Sequence, residues 1–214
     1  MSGRLPRILE GQLVDKELQG KEPPPDITGT AEPELVRLTD FPIVSPSLNR
    51  KEDRVLFYKK EGGDLLSYDF GAKDRQKIAN ITIVGILEAL WSPARDRAAV
   101  FYLDGETLKG FLHIGTSSAA VLPQSITGLS WSPDGSALLY ITENNEGSDL
   151  VVADSSGRNQ RIALKTPLRQ LRAQWVGSDT ISLAIAPSGL AEGFLFLFSR
   201  ASGTLTKIAS GFGL

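Results

Sequence analysis

Three tryptophans, Trp91, Trp131 and Trp175, mark the chain at intervals of 40 and 44 residues, and each ends a short apolar segment that runs into a turn. The pattern is fullest over residues 129–145, where Trp131 is followed by Ser132-Pro133-Asp134-Gly135 and then by an apolar strand, residues 137–142. Proline presets φ at the first central position of a type I turn, aspartate can accept hydrogen bonds from its own backbone, and glycine takes the left-handed position that follows. A hairpin of this kind fits many all-β folds; its recurrence at a near-constant period is far more restrictive.

Aligned on that hairpin, the chain from residue 41 onward reads as four units. The first has Ser45-Pro46 at the turn, strands over 54–58 and 64–69, a turn at Gly71 and a strand over 76–79, with Val44 in the place of the tryptophan. The second has Trp91-Ser92-Pro93, strands over 98–102 and 110–114, a turn over 115–117 and a strand over 119–122. The third continues with strands over 137–142 and 149–154, a turn over 155–157 and a strand over 160–164. The fourth has Trp175, strands over 180–185 and 193–198, a turn at Ser202-Gly203 and a strand over 204–209. Four strands per repeat of about 40–45 residues predict an all-β fold, a β-propeller with four four-stranded blades over approximately 41–80, 81–124, 125–165 and 166–210. The second and third strands read as near-continuous apolar runs, such as Ala99-Val100-Phe101-Tyr102, as strands covered on both faces should. The fourth strands, such as Gln160-Arg161-Ile162-Ala163, are the most polar, which suits an outer edge.

The flanks are read separately. Residues 1–33 carry Pro23-Pro24-Pro25, and the composition is that of a flexible N-terminal tail or linker. Residues 34–38 sit where an orphan outer strand would precede the first unit, and residues 211–214 resemble the opening of a further blade. The expectation is an incomplete, open fragment of a larger propeller with an exposed apolar terminal face prone to association.

Composition narrows the chemistry. A net charge of -2 gives no electrostatic footprint for nucleic acid. There is no cysteine, which excludes disulfides and thiolate metal sites, and one histidine, His113, which excludes a multi-histidine site within the chain. The longest apolar stretch, residues 81–90, carries Glu88 and is too short to span a bilayer, and Arg4 and Arg7 are not followed by the apolar segment of a signal peptide. A serine hydrolase would need a base, and His113 falls in an expected inner strand, where a packed core group is the better reading. The nearest approach to a nucleophile elbow, Gly115-Thr116-Ser117-Ser118-Ala119, sits in a hairpin rather than a strand-to-helix turn. Asp104 with Glu106 and Glu143 with Glu146 are carboxylates in exposed connections, where charge serves solvation. The Ser-Pro-Asp-Gly turn recurs without its Asp in Ser45-Pro46-Ser47-Leu48 and Ser92-Pro93-Ala94-Arg95 and as Val176-Gly177-Ser178-Asp179 in the fourth unit, so only its turn-forming character persists and its role is structural. No residue is assigned as catalytic, cofactor-binding or metal-ligating, and no cofactor is implied. Binding is instead expected of the connections between second and third strands, residues 103–109, 143–148 and 187–193, which share one rim of a propeller.

With Trp131-Ser132-Pro133-Asp134-Gly135, Leu138-Leu139-Tyr140-Ile141 and Asp154-Ser155-Ser156-Gly157, the third unit resembles a TolB-type repeat, also called a WD-like or Ser-Pro-Asp-Gly repeat. The resemblance extends over residues 41–214 and is carried in the second unit by Trp91-Ser92-Pro93; the whole chain is also similar to uncharacterised bacterial propeller proteins. It implies a periplasmic or extracytoplasmic protein-interaction platform whose partner is a protein or an envelope component. The same repeats also form the accessory domain of prolyl-oligopeptidase-type serine peptidases, whose triad lies in a separate domain; no triad residue maps onto this chain.

Overall fold

The computed structural model describes residues 35–124 and 126–212, and for residues 117–119 the backbone alone. The expected tail over 1–33 and the terminal Gly213 and Leu214 lie outside the described residues. The chain divides into two compact units, Met1–Arg37 and Leu38–Leu214. In the first, residues 35–37 are in no strand.

The second unit holds four antiparallel four-stranded sheets, each a meander in chain order. The first contains β1 (Ile43–Leu48), β2 (Arg54–Lys59), β3 (Leu65–Asp69) and β4 (Asp74–Ala79). The second contains β5 (Ile86–Trp91), β6 (Arg97–Asp104), β7 (Thr107–Ile114) and β8 (Ser117–Val121). The third contains β9 (Ile126–Trp131), β10 (Ala137–Asn144), β11 (Gly147–Asp154) and β12 (Arg161–Thr166). The fourth contains β13 (Leu171–Trp175), β14 (Thr180–Ile185), β15 (Gly193–Ser199) and β16 (Leu205–Gly211). Among the described residues there is no helix, and so none long and apolar enough to cross a membrane.

The tryptophan position is common to three sheets, since Trp91, Trp131 and Trp175 pair with Ala98, Leu138 and Ile181 of the following strand. In the first sheet the expected register is wrong. The residue paired in that way is Leu48, opposite Val55, and not Val44, which lies opposite Tyr58. The turn is closed by Asn49 N donating to Arg54 O, as Ser92 N donates to Arg97 O and Ser132 N to Ala137 O, each at 2.9 Å. Its left-handed residue is Glu52 at φ 58°, the counterpart of Arg95 at 59° and Gly135 at 72°. Ser45-Pro46 is therefore not a turn but an irregularity inside β1, with Ser45 itself at φ 48°. Its use is in packing: Ser45 Oγ accepts from Ala89 N, and Ser45 O from Trp91 Nε1, both at 2.8 Å.

Alternation along the second strands divides the core. On β6, Ala98 and Val100 belong to the cluster between first and second sheets, and Ala99 to the cluster between second and third. On β10, Leu138 and Tyr140 face the second sheet, and Leu139 and Ile141 face the fourth. All four β10 side chains are no more than 1% exposed, so both faces of the strand are covered and each leucine contributes about 1.5–3 kcal/mol of burial. Three clusters thus join four sheets in sequence, and none joins the fourth to the first: among the described residues the sheets do not close into a ring. Each fourth strand carries a one-residue bulge, at Ile78, Ala119, Ala163 and Ile208, which twists the outer edge away from flat pairing.

Two expectations at the ends differ from the structure. Residues 35–38 form no strand, because an outer strand needs a third strand to pair with and β3, β7, β11 and β15 each already hold their own fourth. Gly211 ends β16, opposite Gly193, instead of opening a new strand. Phe57 and Leu66, which point away from Tyr58 and the core between sheets, are 1% and 9% exposed. Beside them the Phe41 ring takes the Lys59 ammonium at 5.1 Å and the Arg75 guanidinium at 4.9 Å. On the fourth sheet, Leu195 and Leu197, alternating with the core residues Phe196 and Phe198, are half-buried.

Candidate functional site

The turn that dominates the sequence is locked by its own side chains. Asp134 Oδ1 accepts from Ser132 Oγ at 2.6 Å, from Ser136 N at 3.0 Å and from Ser136 Oγ at 2.9 Å. Ser132 Oγ in turn accepts from Ala137 N. These bonds, that from Ser132 first, favour the carboxylate and pull Asp134 down to about 2, so it is not a proton carrier near neutrality. Asp154 repeats the device after β11, accepting from Ser156 Oγ and N, Arg158 N and Asn159 Nδ2, and also falls to about 2. Both are turn-holding carboxylates.

His113 is 2% exposed and lies between sheets, its Nδ1 sharing a hydrogen bond of 2.7 Å with the buried Tyr58 hydroxyl. Burial pushes the imidazole down to about 4, which keeps it neutral, and raises the Tyr58 phenol. Trp91 stacks on Tyr58 at 5.6 Å. Among the described side chains no serine hydroxyl bonds to His113, and its Nε2 is buried without a hydrogen-bond partner there. The geometry is that of a core contact between the first and second sheets. Ser117 and Ser118 open β8 after the turn at Gly115 and Thr116, with no helix behind them.

The carboxylate pairs are not brought together as acid and base. Asp104 forms an ion pair with Lys109 across the β6–β7 hairpin, and Glu143 Oε1 accepts from Gln170 N at 2.7 Å. Among the described residues no group of three or more metal-ligating side chains converges.

The connections between second and third strands all emerge at one end of the sheets, because every sheet is an up-and-down meander. Two of them are tighter than their sequence suggests: β6 and β10 extend to Asp104 and Asn144, leaving two residues each, 105–106 and 145–146. Asn144 Oδ1 accepts from Glu146 N and Gly147 N and closes the second of these turns. Gly147 has φ 143°, and a Cβ there would stand 2.2 Å from Thr166 O, so only glycine fits. Beside that hairpin is a hollow of about 220 Å³ bordered by Asn144, Glu146, Asp149, Lys165 and Pro167. The fourth sheet has the long connection, residues 186–192, closed near its tip by a bridge between Ser188 and Ala191. Large apolar side chains gather at this end: Leu103 and Leu108 at the hairpin, Val84 before β5, Val121 at the end of β8, and Leu190, which is 99% exposed.

No family model matches the chain, and no curated protein matches it. Solved structures do. TolB from Acinetobacter baumannii superposes with a TM-score of 0.51 at 15% identity, over 74% of this chain and 42% of that one. An uncharacterised protein from Listeria monocytogenes gives a TM-score of 0.58 at 18% identity, over 79% and 54%. The β-propeller domain of the trilobed protease from Pyrococcus furiosus gives 0.55 at 12% identity, over 78% and 57%. The matched region thus spans roughly half the length of these structures. At such identities the likeness is one of fold. The four sheets are blades of a TolB-like β-propeller, a fold this chain has in common with TolB and with the propeller domain of a protease.

Proposed function

We propose that the chain is a non-catalytic propeller module that binds a protein or a cell-envelope component through the connections between second and third strands. The supporting observation is the gathering of exposed apolar side chains, Val84, Leu103, Leu108, Val121 and Leu190, at the one end where those connections emerge. A rigid sheet scaffold that presents variable connections at one end is a usual arrangement for recognition. The test compares the unaltered chain with a Leu103→Ser, Leu108→Ser, Leu190→Ser variant of unchanged circular dichroism, each immobilised and exposed to envelope extract of the native host. A partner retained by the first and lost from the second supports the reading; equal retention by both overturns it.

A second reading is an accessory propeller of a prolyl-oligopeptidase-type serine peptidase whose catalytic domain lies outside this chain. The observation favouring it is the likeness to the propeller domain of the Pyrococcus furiosus protease. The coding sequence beyond Leu214 separates the two: a Gly-x-Ser-x-Gly elbow followed by a histidine favours the peptidase, and further Ser-Pro-Asp-Gly units followed by a stop favour the binding module.

A further inference from the structure

The tryptophans occupy one position in three sheets, but the surroundings of Trp175 differ from those of the other two. Trp91 Nε1 donates to Ser45 O at 2.8 Å and Trp131 Nε1 to Leu90 O at 2.9 Å, each reaching the preceding sheet. Trp175 is 6% exposed and its Nε1 has no partner among the described residues. Arg200 lies over its ring instead, the guanidinium carbon 5.1 Å from the centroid.

Arg200 holds a repeat position of its own. Gly115, Ser155 and Arg200 each donate a backbone N–H to the turn between first and second strands of their own sheet, at Asp96, Ser136 and Asp179. In the third sheet this residue reaches across to the second, where Ser155 Oγ accepts from Arg97 Nη1. The third-sheet counterpart of Arg97 is Ala137, since both carbonyls close the same turn, and it has no side chain with which to bridge to the fourth sheet. At this end two hollows that share Arg200 lie between the third and fourth sheets. One, of about 190 Å³, is bordered by Ser132, Asp134, Trp175 and Ser178. The other, of about 320 Å³, is bordered by Val152, Arg161, Ala163 and Asp179.

The larger hollow is rich in donors and poor in acceptors. Arg161 and Arg200 each bring a five-donor guanidinium, and neither is in an ion pair among the described residues. Its one carboxylate is already engaged: Asp179 Oδ2 accepts from Ser199 Oγ at 2.7 Å and Oδ1 from Ala201 N at 2.8 Å. The stack on Trp175 holds the Arg200 fork in place, and such a fork matches a two-oxygen anion. Asp134 at the smaller hollow and Asp179 at the larger each repel an anion, and only in the larger do two guanidinium groups outweigh the single carboxylate.

We propose that the cleft between the third and fourth sheets is an oxyanion site in which Arg161 and Arg200 hold a carboxylate or phosphate group. It lies at the end of the sheets opposite the connections between second and third strands, so its failure and the failure of the binding role proposed above are separate outcomes.

The test follows the three indole N–H resonances of the ¹⁵N-labelled chain while inorganic phosphate or, separately, a hexaglutamate peptide is added up to about 10 mM, a range that covers weak single-site binding. The expected result is a saturable shift of the Trp175 indole with at least one probe, weakened about tenfold by Arg200→Gln and by Arg161→Gln, as loss of a charge-assisted hydrogen bond implies. Arg158→Gln, an exposed position bordering neither hollow, is expected to change affinity by less than about twofold. Binding of phosphate alone identifies a free anion as occupant, and binding of the peptide alone identifies an acidic protein segment. No saturable shift with either probe overturns the proposal, and so does unchanged affinity in Arg161→Gln, an exposed edge position whose variant retains the fold.

Discussion

Between the second and third sheets, Trp131 Nε1 bonds to Leu90 O and Arg97 reaches Ser155, so apolar packing is completed by polar ties. Between the third and fourth, Leu139, Ile141, Ile181 and Leu183 are each fully buried and Ser130 Oγ accepts from Trp175 N at 3.0 Å, yet Trp175 Nε1 is unpaired among the described residues and Arg200 turns to its own sheet's tryptophan. The two seams share repeat positions and apolar burial and differ in their polar finish. Hydrophobic burial is non-directional and needs only volume, so it survives repeat divergence; a hydrogen bond needs both partners at one distance, so it is lost when either position drifts.

The largest effects should therefore be alike at the two seams. Leu138→Ala opens a cavity toward the second sheet and Leu139→Ala one toward the fourth, and each is expected to cost about 2–5 kcal/mol in urea unfolding. If Leu139→Ala costs less than half as much as Leu138→Ala, the third-to-fourth seam is loosely packed as well as less fully tied, and the comparison as drawn breaks.

The first-to-second seam adds an acid-sensitive tie. Buried His113 falls to about 4 from an ordinary 6.5, so the folded state disfavours the proton that the unfolded chain accepts. Its contribution is fully present above pH 6.5 and is lost as the pH falls toward 4, by on the order of 3 kcal/mol. Since His113 is the only histidine, the slope of stability between pH 6.5 and 5 belongs to it. Flattening of that slope in His113→Gln is the expected result; an unchanged slope refutes the assignment.

The tryptophans separate the seams more finely. Trp131→Phe removes a donor and leaves Leu90 O unsatisfied, at an expected cost of about 1–3 kcal/mol beyond the change in ring size. Trp175→Phe removes an N–H that already has no partner, so the polar part of its cost is about zero. Equal losses in thermal unfolding would mean that the Trp131 bond contributes nothing.

The blades could be counted from sequence because their marks are local: a tryptophan, a Pro-Asp-Gly turn, and apolar runs on strands covered from both sides. The first sheet's register could not, because its turn over residues 49–53 has neither proline nor glycine and places Glu52 at φ 58°. Ser45-Pro46 imitated the missing turn, although taking Leu48 as the tryptophan's counterpart brings the first interval to 43 residues, close to the other two. At that left-handed position Glu52→Gly is expected to stabilise the chain by about 0.5 kcal/mol, since glycine relieves the strain and loses only part of the gain to backbone entropy. Destabilisation would return the turn to Ser45-Pro46. The pairing of Arg161 with Arg200 was not legible at all. They stand 39 residues apart on different sheets, and only the packing of one blade on the next brings them to one hollow.

A comparably small effect bears most directly on why one seam is tied. Arg97 also pairs with Asp96, at 2.8 Å, so Arg97→Ala removes that pair together with the bond to Ser155. Ser155→Ala removes the bond across the seam alone. A double-mutant cycle isolates it, and the expected coupling is about 0.5–1 kcal/mol for a half-buried, charge-assisted bond. Repeated in 1 M salt, the coupling should persist, because the acceptor is a neutral hydroxyl and screening at about 3 Å acts on exposed ion pairs. A coupling of zero would make the Arg97–Ser155 contact incidental. The two seams would then differ in the Trp131 Nε1 bond to Leu90 O, which Trp175 lacks, and in the placement of Arg161 and Arg200 around one hollow.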